Sequence, residues 1–212
     1  MEKINRLFDG VKIFQDEDFV RYAEIFKNLK NTHKPHTLFI GCADSRVVPN
    51  LITKTLPGEL FVLRNIANLI PLYEETSESY LSMLAGIEYV VNILGVKNII
   101  ICGHSNCGGC RALYYDDKQM EGMPHLSKWL KLARPVVEAV KQRTDISQEG
   151  PLRDWLTEQL NVVEQMNHLL TYPYLKEKFN SGKLNILGWY YVIETGAVYN
   201  YSHTKQIFER IE

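Results

Sequence analysis

Two short stretches hold the residue types that metal chemistry needs. One is Ile40-Gly41-Cys42-Ala43-Asp44-Ser45-Arg46 and the other is Gly103-His104-Ser105-Asn106-Cys107-Gly108-Gly109. Each follows an apolar run that reads as a buried strand. Together they offer two thiols and one imidazole, with a carboxylate and a guanidinium two and four residues after the first thiol. Zinc takes thiolate and imidazole ligands tetrahedrally, and three protein ligands leave the fourth position open, as in catalytic sites. His104 and Cys107 are three apart across a turn entering a helix, so both can reach one ion if that turn opens near Cys42. Two thiolates cancel the charge of Zn²⁺ and weaken its pull on bound water. Asp44 can compensate by accepting a hydrogen bond from a zinc-bound hydroxide and turning its lone pair toward an electrophile. Arg46 can hold that carboxylate bidentately. Without Arg46, Asp44 could swing onto the metal as a fourth ligand and close the site. Helix-start amides around Asn106 to Gly109 would add positive potential for an anion.

The elements that must position these residues follow from periodicity. Apolar residues at helical spacing predict one helix over 4–14 and a second from about Asp18 to Lys30. These either pack on a partner subunit or cover the chain's own sheet. Strands are predicted over His36–Cys42, Glu59–Arg64 and Val96–Cys102, the last β-branched and central. A helix is expected from Ser77 to Leu94, ended by Gly95, and another from Asn106 to about Tyr115. Residues 126–170 read as helical, broken at Pro135 and at Gly150-Pro151, and Tyr172-Pro173 opens one more helix ending near Gly182. Leu184–Glu194 reads as a strand, with Ala197–Tyr201 as its hairpin partner.

The alternation predicts an α/β fold: a central, mostly parallel β-sheet flanked by helices, with an N-terminal helical arm and a C-terminal β-hairpin. We expect one domain over residues 1–212. It comprises an arm (1–30), a zinc-site core (36–115), a helical region (125–182) and C-terminal strands (184–212). In such sheets, sites form beyond the carboxyl ends of the strands, where Cys42 and Cys107 sit.

Composition narrows the class of protein. The chain has 212 residues with a formal net charge of −1, which gives no broad electrostatic case for nucleic acid or an anionic membrane. No apolar run is long enough to span a bilayer and no signal core follows the N-terminus, so a cytoplasmic protein is expected. The four cysteines, Cys42, Cys102, Cys107 and Cys110, should then stay reduced. Cys107 and Cys110 form a Cys-x-x-Cys pair, so a thiol redox role is the competing reading. Cys102 and Cys110 otherwise read as core, and His36, His125, His168 and His203 as surface or helix-end residues. Trp189-Tyr190-Tyr191 reads as packing.

With these motifs in view, the chain resembles the β-class carbonic anhydrases. The resemblance runs through Cys42–Arg46, His104–Cys107, Pro57-Gly58-Glu59, Arg64-Asn65-Ile66-Ala67-Asn68 and Ile87-Glu88-Tyr89. It covers roughly residues 20–200 and is nearest to the bacterial members with a long helical C-terminal half. It implies reversible hydration of CO₂ to bicarbonate and a proton, by attack of a zinc hydroxide. Cys42, His104 and Cys107 would hold one zinc per chain, Asp44 would orient the hydroxide, and Arg46 would hold Asp44. Phe61 and Tyr89 match the substrate pocket, part of which comes from the neighbouring subunit, and Gly103 and His33 fall at further pocket positions. A homodimer or tetramer is implied, with the arms wrapping the partner. Relatives of this family hydrolyse CS₂ or COS with the same ligands, so that activity is an alternative. His33 stands where the family usually has Gln, and an imidazole titrates near neutral pH. Some members bind inhibitory bicarbonate through Trp, Arg and Tyr. Arg64 and Tyr191 match, but Phe39 replaces the Trp and lacks its N–H donor, so that second site is not expected.

Overall fold

Six strands form one mixed sheet in the order β2-β1-β3-β4-β5-β6. They are β1 (Thr37–Cys42), β2 (Leu60–Asn65), β3 (Asn98–His104), β4 (Asn185–Tyr191), β5 (Val198–Ser202) and β6 (Ile207–Arg210). β2, β1, β3 and β4 run parallel, while β5 and β6 add antiparallel at one edge. The computed structural model describes residues 2–76, 78–143 and 150–212. The mostly parallel sheet and the antiparallel C-terminal end match the expected class. The C-terminal end holds one strand more than the expected hairpin, because the chain turns after Ser202 and returns as β6.

The two central strands are apolar on both faces because both faces are covered. Leu38, Ile40, Ile99 and Ile101 face one core, which includes Ile87 and Val90, Val162 and Met166, and Leu175. Phe39, Ile100 and Cys102 point the other way, against Val62, Trp189 and Tyr191. Cys102 is therefore core, as expected. A third cluster gathers Cys42, Cys107, Cys110, Ala67 and Leu69 with Leu130, Ala133, Val136 and Val140. That cluster seats the two motif stretches on the helical half of the chain.

Several helices differ from their sequence-based bounds. The arm forms α1 (Glu2–Ile13) and α2 (Phe19–Leu29), joined through Phe14–Asp18 by wider π-type turns with no break. A short helix not foreseen, α3 (Pro49–Thr53), follows the first motif, with Pro49 at its first position. α4 (Leu81–Glu88) runs on through π-type turns to Leu94, and Gly95 ends it in the left-handed conformation (φ 70°). The expected start at Ser77 lies outside the described residues. Tyr80, at φ 60°, reverses the chain and sets the observed start. α5 (Gly108–Arg111) starts two residues later than the expected 106–115 helix, since Asn106 at φ 56° cannot belong to a right-handed helix, and it continues as a 3-10 turn over Ala112–Tyr114 to about the expected end. The helical half holds α6 (Pro124–Leu130), α7 (Arg134–Arg143), α8 (Pro151–Leu169) and α9 (Pro173–Asn180). The expected break at Pro135 falls between α6 and α7, which a 3-10 turn over Lys131–Ala133 separates. Pro135 itself sits in the first turn of α7, where its missing N–H is harmless.

α8 crosses behind β3 and β4 and buries a polar face: Thr157, Glu158, Asn161, Gln165 and His168. Three of these side chains hold the irregular backbone that follows β2. Asn161 donates to Ala67 O at 2.9 Å, Gln165 accepts from the Ile70 N–H at 2.7 Å, and His168 Nδ1 meets Ile70 O at 2.6 Å. Ala67 and Asn68 have positive φ and break the short 3-10 turn Ile66–Asn68, so its own regular structure leaves this backbone to outside partners. His168 is thus at a helix end as expected, but buried rather than at the surface.

Candidate metal centre

Strand geometry delivers the three ligand residues to one point. β1 and β3 are neighbours in parallel register, with Gly41 opposite Cys102, so Cys42 and Gly103-His104 arrive at the same edge. His104 closes β3 itself, and the chain then turns through Ser105 and Asn106 to Cys107, which caps α5. One ligand atom from each of Cys42, His104 and Cys107 lies within 4.8 Å of the others, and all three residues are buried. The two Sγ atoms are 3.9 Å apart. Two thiolates at about 2.3 Å from a tetrahedral zinc would be about 3.8 Å apart.

The imidazole is set for coordination. His104 Nδ1 lies 2.9 Å from Ser105 O, and a carbonyl can only accept, so Nδ1 carries the proton. Nε2 is then a bare lone pair, buried and without a hydrogen-bond partner. An orphaned nitrogen beside two thiols is costly unless it has a cation to bind. Protein surroundings alone push the Cys42 thiol up to about 12, first through its pairing with the Cys107 thiol and then through burial. Cys107 is pushed up as well, first by the neighbouring Cys110 thiol. A divalent cation would reverse both by replacing the protons. The donor set, its spacing and its burial all fit zinc.

Asp44 and Arg46 form the expected pair. Asp44 Oδ1 accepts from the Arg46 backbone N–H and from Nε, both at 2.9 Å, and Oδ2 accepts from Nη2 at 2.7 Å. The Arg46 guanidinium holds the Asp44 carboxyl well below the usual carboxylate range. Oδ2 also lies 3.9 Å from His104 Nε2, at the edge of the ligand cluster. Arg46 Nη2 further donates to Asn106 O at 3.1 Å, tying the two motif stretches together.

Three residues not singled out for this part support the cluster. Arg64 donates to Cys42 O at 3.0 Å and to Asp44 O at 2.6 Å, so its guanidinium is committed to the end of β1. Phe39, which replaces the Trp of the second site that is not expected here, is fully buried edge-on to Trp189. Glu194 accepts from Ser105 Oγ at 2.9 Å and from the Asn106 side-chain amide, clamping the turn between His104 and Cys107. Glu158 accepts from the Cys107 N–H at 2.8 Å. Glu194 follows β4 at its carboxyl end, a position that could have drawn attention. Nothing local marks Glu158.

The pocket residues behave differently. His33, Phe61 and Tyr89 form a chain of ring contacts, at 6.0 Å between the first two and 6.3 Å between the last two. Phe61 pairs with Leu38, four residues before Cys42, which is about 13 Å along a strand. This patch is therefore not at its own chain's ligand cluster. Gly103 faces α8: an added Cβ would meet Val162 Cγ2 at 2.6 Å, so its role here is to let β3 approach the helix.

Comparison with known proteins agrees with this geometry. A family model described as carbonic anhydrase matches residues 37–198. A carbonic anhydrase of Helicobacter pylori strain J99 is 44% identical over 207 residues, 97% of this chain and 93% of that protein. One from Pseudomonas aeruginosa is 36% identical, over 91% of this chain and 84% of its own. Among solved structures, the β-carbonic anhydrase CcaA superposes with a TM-score of 0.92 at 32% identity, over 100% of this chain and 93% of that one. A tetrameric β-carbonic anhydrase from Sordaria macrospora superposes at 0.72 with 30% identity, over 93% of each chain. The chain belongs to the carbonic anhydrase family, in its β class.

Proposed function

We propose that this chain hydrates carbon dioxide reversibly to bicarbonate and a proton at a zinc ion held by Cys42, His104 and Cys107. Membership of the carbonic anhydrase family supports the reaction. The single observation that carries the site is the buried, unpartnered Nε2 of His104, facing two thiols and the clamped carboxylate of Asp44. When bound, zinc supplies Lewis acidity that brings the pKa of water toward neutrality. The protein's own groups do the rest. Asp44 is an acceptor only, so it would accept a hydrogen bond from the attacking hydroxyl and leave an oxygen lone pair turned toward the carbon of CO₂. Arg46 keeps that carboxylate ionised and turned away from the ligands, with both its oxygens engaged. Arg64 fixes the backbone from which Cys42 and Asp44 project.

The His33, Phe61 and Tyr89 patch completes the site of a neighbouring copy in this reading, and the chain works as a homodimer or tetramer. The long arm supports this, since Ile4, Leu7, Phe8, Val11, Ile13 and Phe14 are all exposed along it. No helix among the described residues is long and apolar enough to cross a membrane. The competing thiol redox reading is weakened by burial, as Cys107 and Cys110 are each only 2% exposed.

The test is metal analysis with a stopped-flow CO₂ hydration assay on the wild type, D44N and C110S. One zinc per chain is expected in all three. D44N should lose about 100-fold or more in kcat/KM, and C110S should keep most activity. Full activity in D44N would overturn the proposed role of Asp44.

A further inference from the structure

Glu158 is an acid that the reaction itself does not call for. It lies on α8, is 3% exposed, and sits directly behind the turn that carries Cys107. Burying a carboxylate costs several kcal/mol unless its oxygens are well paired. Both are paired here. Oε1 accepts from the Cys107 N–H at 2.8 Å, and Oε2 accepts from the Tyr190 hydroxyl at 2.8 Å. Cys107 precedes α5 with an extended backbone (φ −73°, ψ 112°), so its N–H has no partner within that helix. The bond crosses 51 residues of sequence and joins α8, β4 and the ligand turn at one side chain.

We infer that Glu158 is a positioning residue for the metal: its carboxylate fixes the backbone of Cys107 so that the thiol points at the ion. The inference rests on the reading of Cys107 as a ligand. Two carboxylates then hold the ligand turn from opposite ends, Glu194 at Ser105 and Asn106 and Glu158 at Cys107. The neighbouring polar side chains of α8 do something else. Asn161 and Gln165 hold the loop at Ala67 and Ile70 and make no contact with the backbone of the ligand turn. α5 starts one residue after Cys107 and runs on as a 3-10 turn over Ala112–Tyr114, and neither offers the Cys107 N–H a partner. Partners one layer behind a metal ligand typically change affinity 10–100-fold when removed.

The experiment measures zinc affinity by competition with a chromophoric chelator, on wild type, E158A, E158M, E158Q, Q165A and C107S. Cobalt-substituted samples report the thiolate-to-metal absorption band. E158A and E158M should bind zinc about 10–100-fold more weakly, with an altered cobalt band. E158M fills the volume without an acceptor and carries the test if E158A does not fold. E158Q keeps an acceptor for the Cys107 N–H and should stay within about threefold of the wild type, with its band retained. Q165A, equally buried on the same helix, should lower the melting temperature but leave affinity unchanged. Wild-type affinity and an unaltered band in E158M would overturn the inference, as would a Q165A loss equal to that of E158M. C107S separates the two readings. If C107S loses tight zinc while E158M does not, only the role of Glu158 fails. If C107S binds zinc like the wild type, the ligand assignment fails with it.

Discussion

The ligand cluster and the aromatic patch are built on opposite terms. Cys42, His104 and Cys107 come from adjacent strand ends, are buried, and are held by bonds from Arg64, Glu194 and Glu158. His33, Phe61 and Tyr89 touch only through their rings, and Tyr89 is 45% exposed. The first region is finished within one chain. The second has the open apolar character of a surface awaiting a partner, continuous in kind with the exposed arm. On the proposed function, precision is stored in the chain for the metal and between chains for the substrate.

That comparison can be broken first at the metal. C107S removes one of three ligands and should abolish tight zinc binding, with hydration activity falling on the order of a thousandfold or more. Metal analysis and the hydration assay on the same sample check it. Retained zinc with retained activity would mean the finished region is not finished by Cys107.

The next effect concerns Arg46 and pH. Arg46 depresses the Asp44 carboxyl, so the pair is formed above the ordinary carboxylate pKa and is lost only as pH falls through the lowered folded value. In R46A, Asp44 should take up its proton at higher pH. The acid limb of kcat/KM therefore moves upward, and neutral-pH activity drops about tenfold or more. The small stability gap between wild type and R46A should be widest at neutral pH and should close in acid. A pH–rate profile with parallel melting curves tests both signs.

A charge in the arm addresses the second region. F8D places a carboxylate on a face whose neighbours Ile4, Leu7 and Val11 are apolar and exposed. Light scattering should show dissociation to smaller species, with activity reduced severalfold while zinc content stays at one per chain. Unchanged mass and activity would show that the arm does not complete the assembly. The smallest effect is expected from H33Q, which exchanges an imidazole for an amide on the patch. The shape of the kcat/KM profile near neutrality should change by no more than a few-fold, and an identical profile would remove His33 from the substrate site.

How much of this was legible in the sequence follows the same division. Cys42, Asp44 and Arg46 sit within five residues, and His104 and Cys107 within four, so spacing alone argued for an open metal site. Buried strands betrayed themselves by unbroken apolar runs. The supports were not legible, because Glu158 and Glu194 act across 51 and 89 residues. A helix that buries Thr157, Glu158, Asn161 and Gln165 carries residue types that periodicity assigns to solvent. The burial of His168 at the end of that helix escapes periodicity for the same reason. α3 and β6 are too short for a periodic signal, and the start of α4 depends on a left-handed Tyr80 that composition does not mark.

The central claim is that one zinc is held by two thiolates and one imidazole with Asp44 held away from it. X-ray absorption at the zinc edge on the purified protein at neutral pH tests it most directly. Two sulfur neighbours at about 2.3 Å and two nitrogen or oxygen neighbours at about 2.0–2.1 Å are expected, unchanged in shell composition by C110S. D44N should also leave that shell unchanged. A third sulfur that disappears in C110S, or a light-atom neighbour lost in D44N, would contradict it.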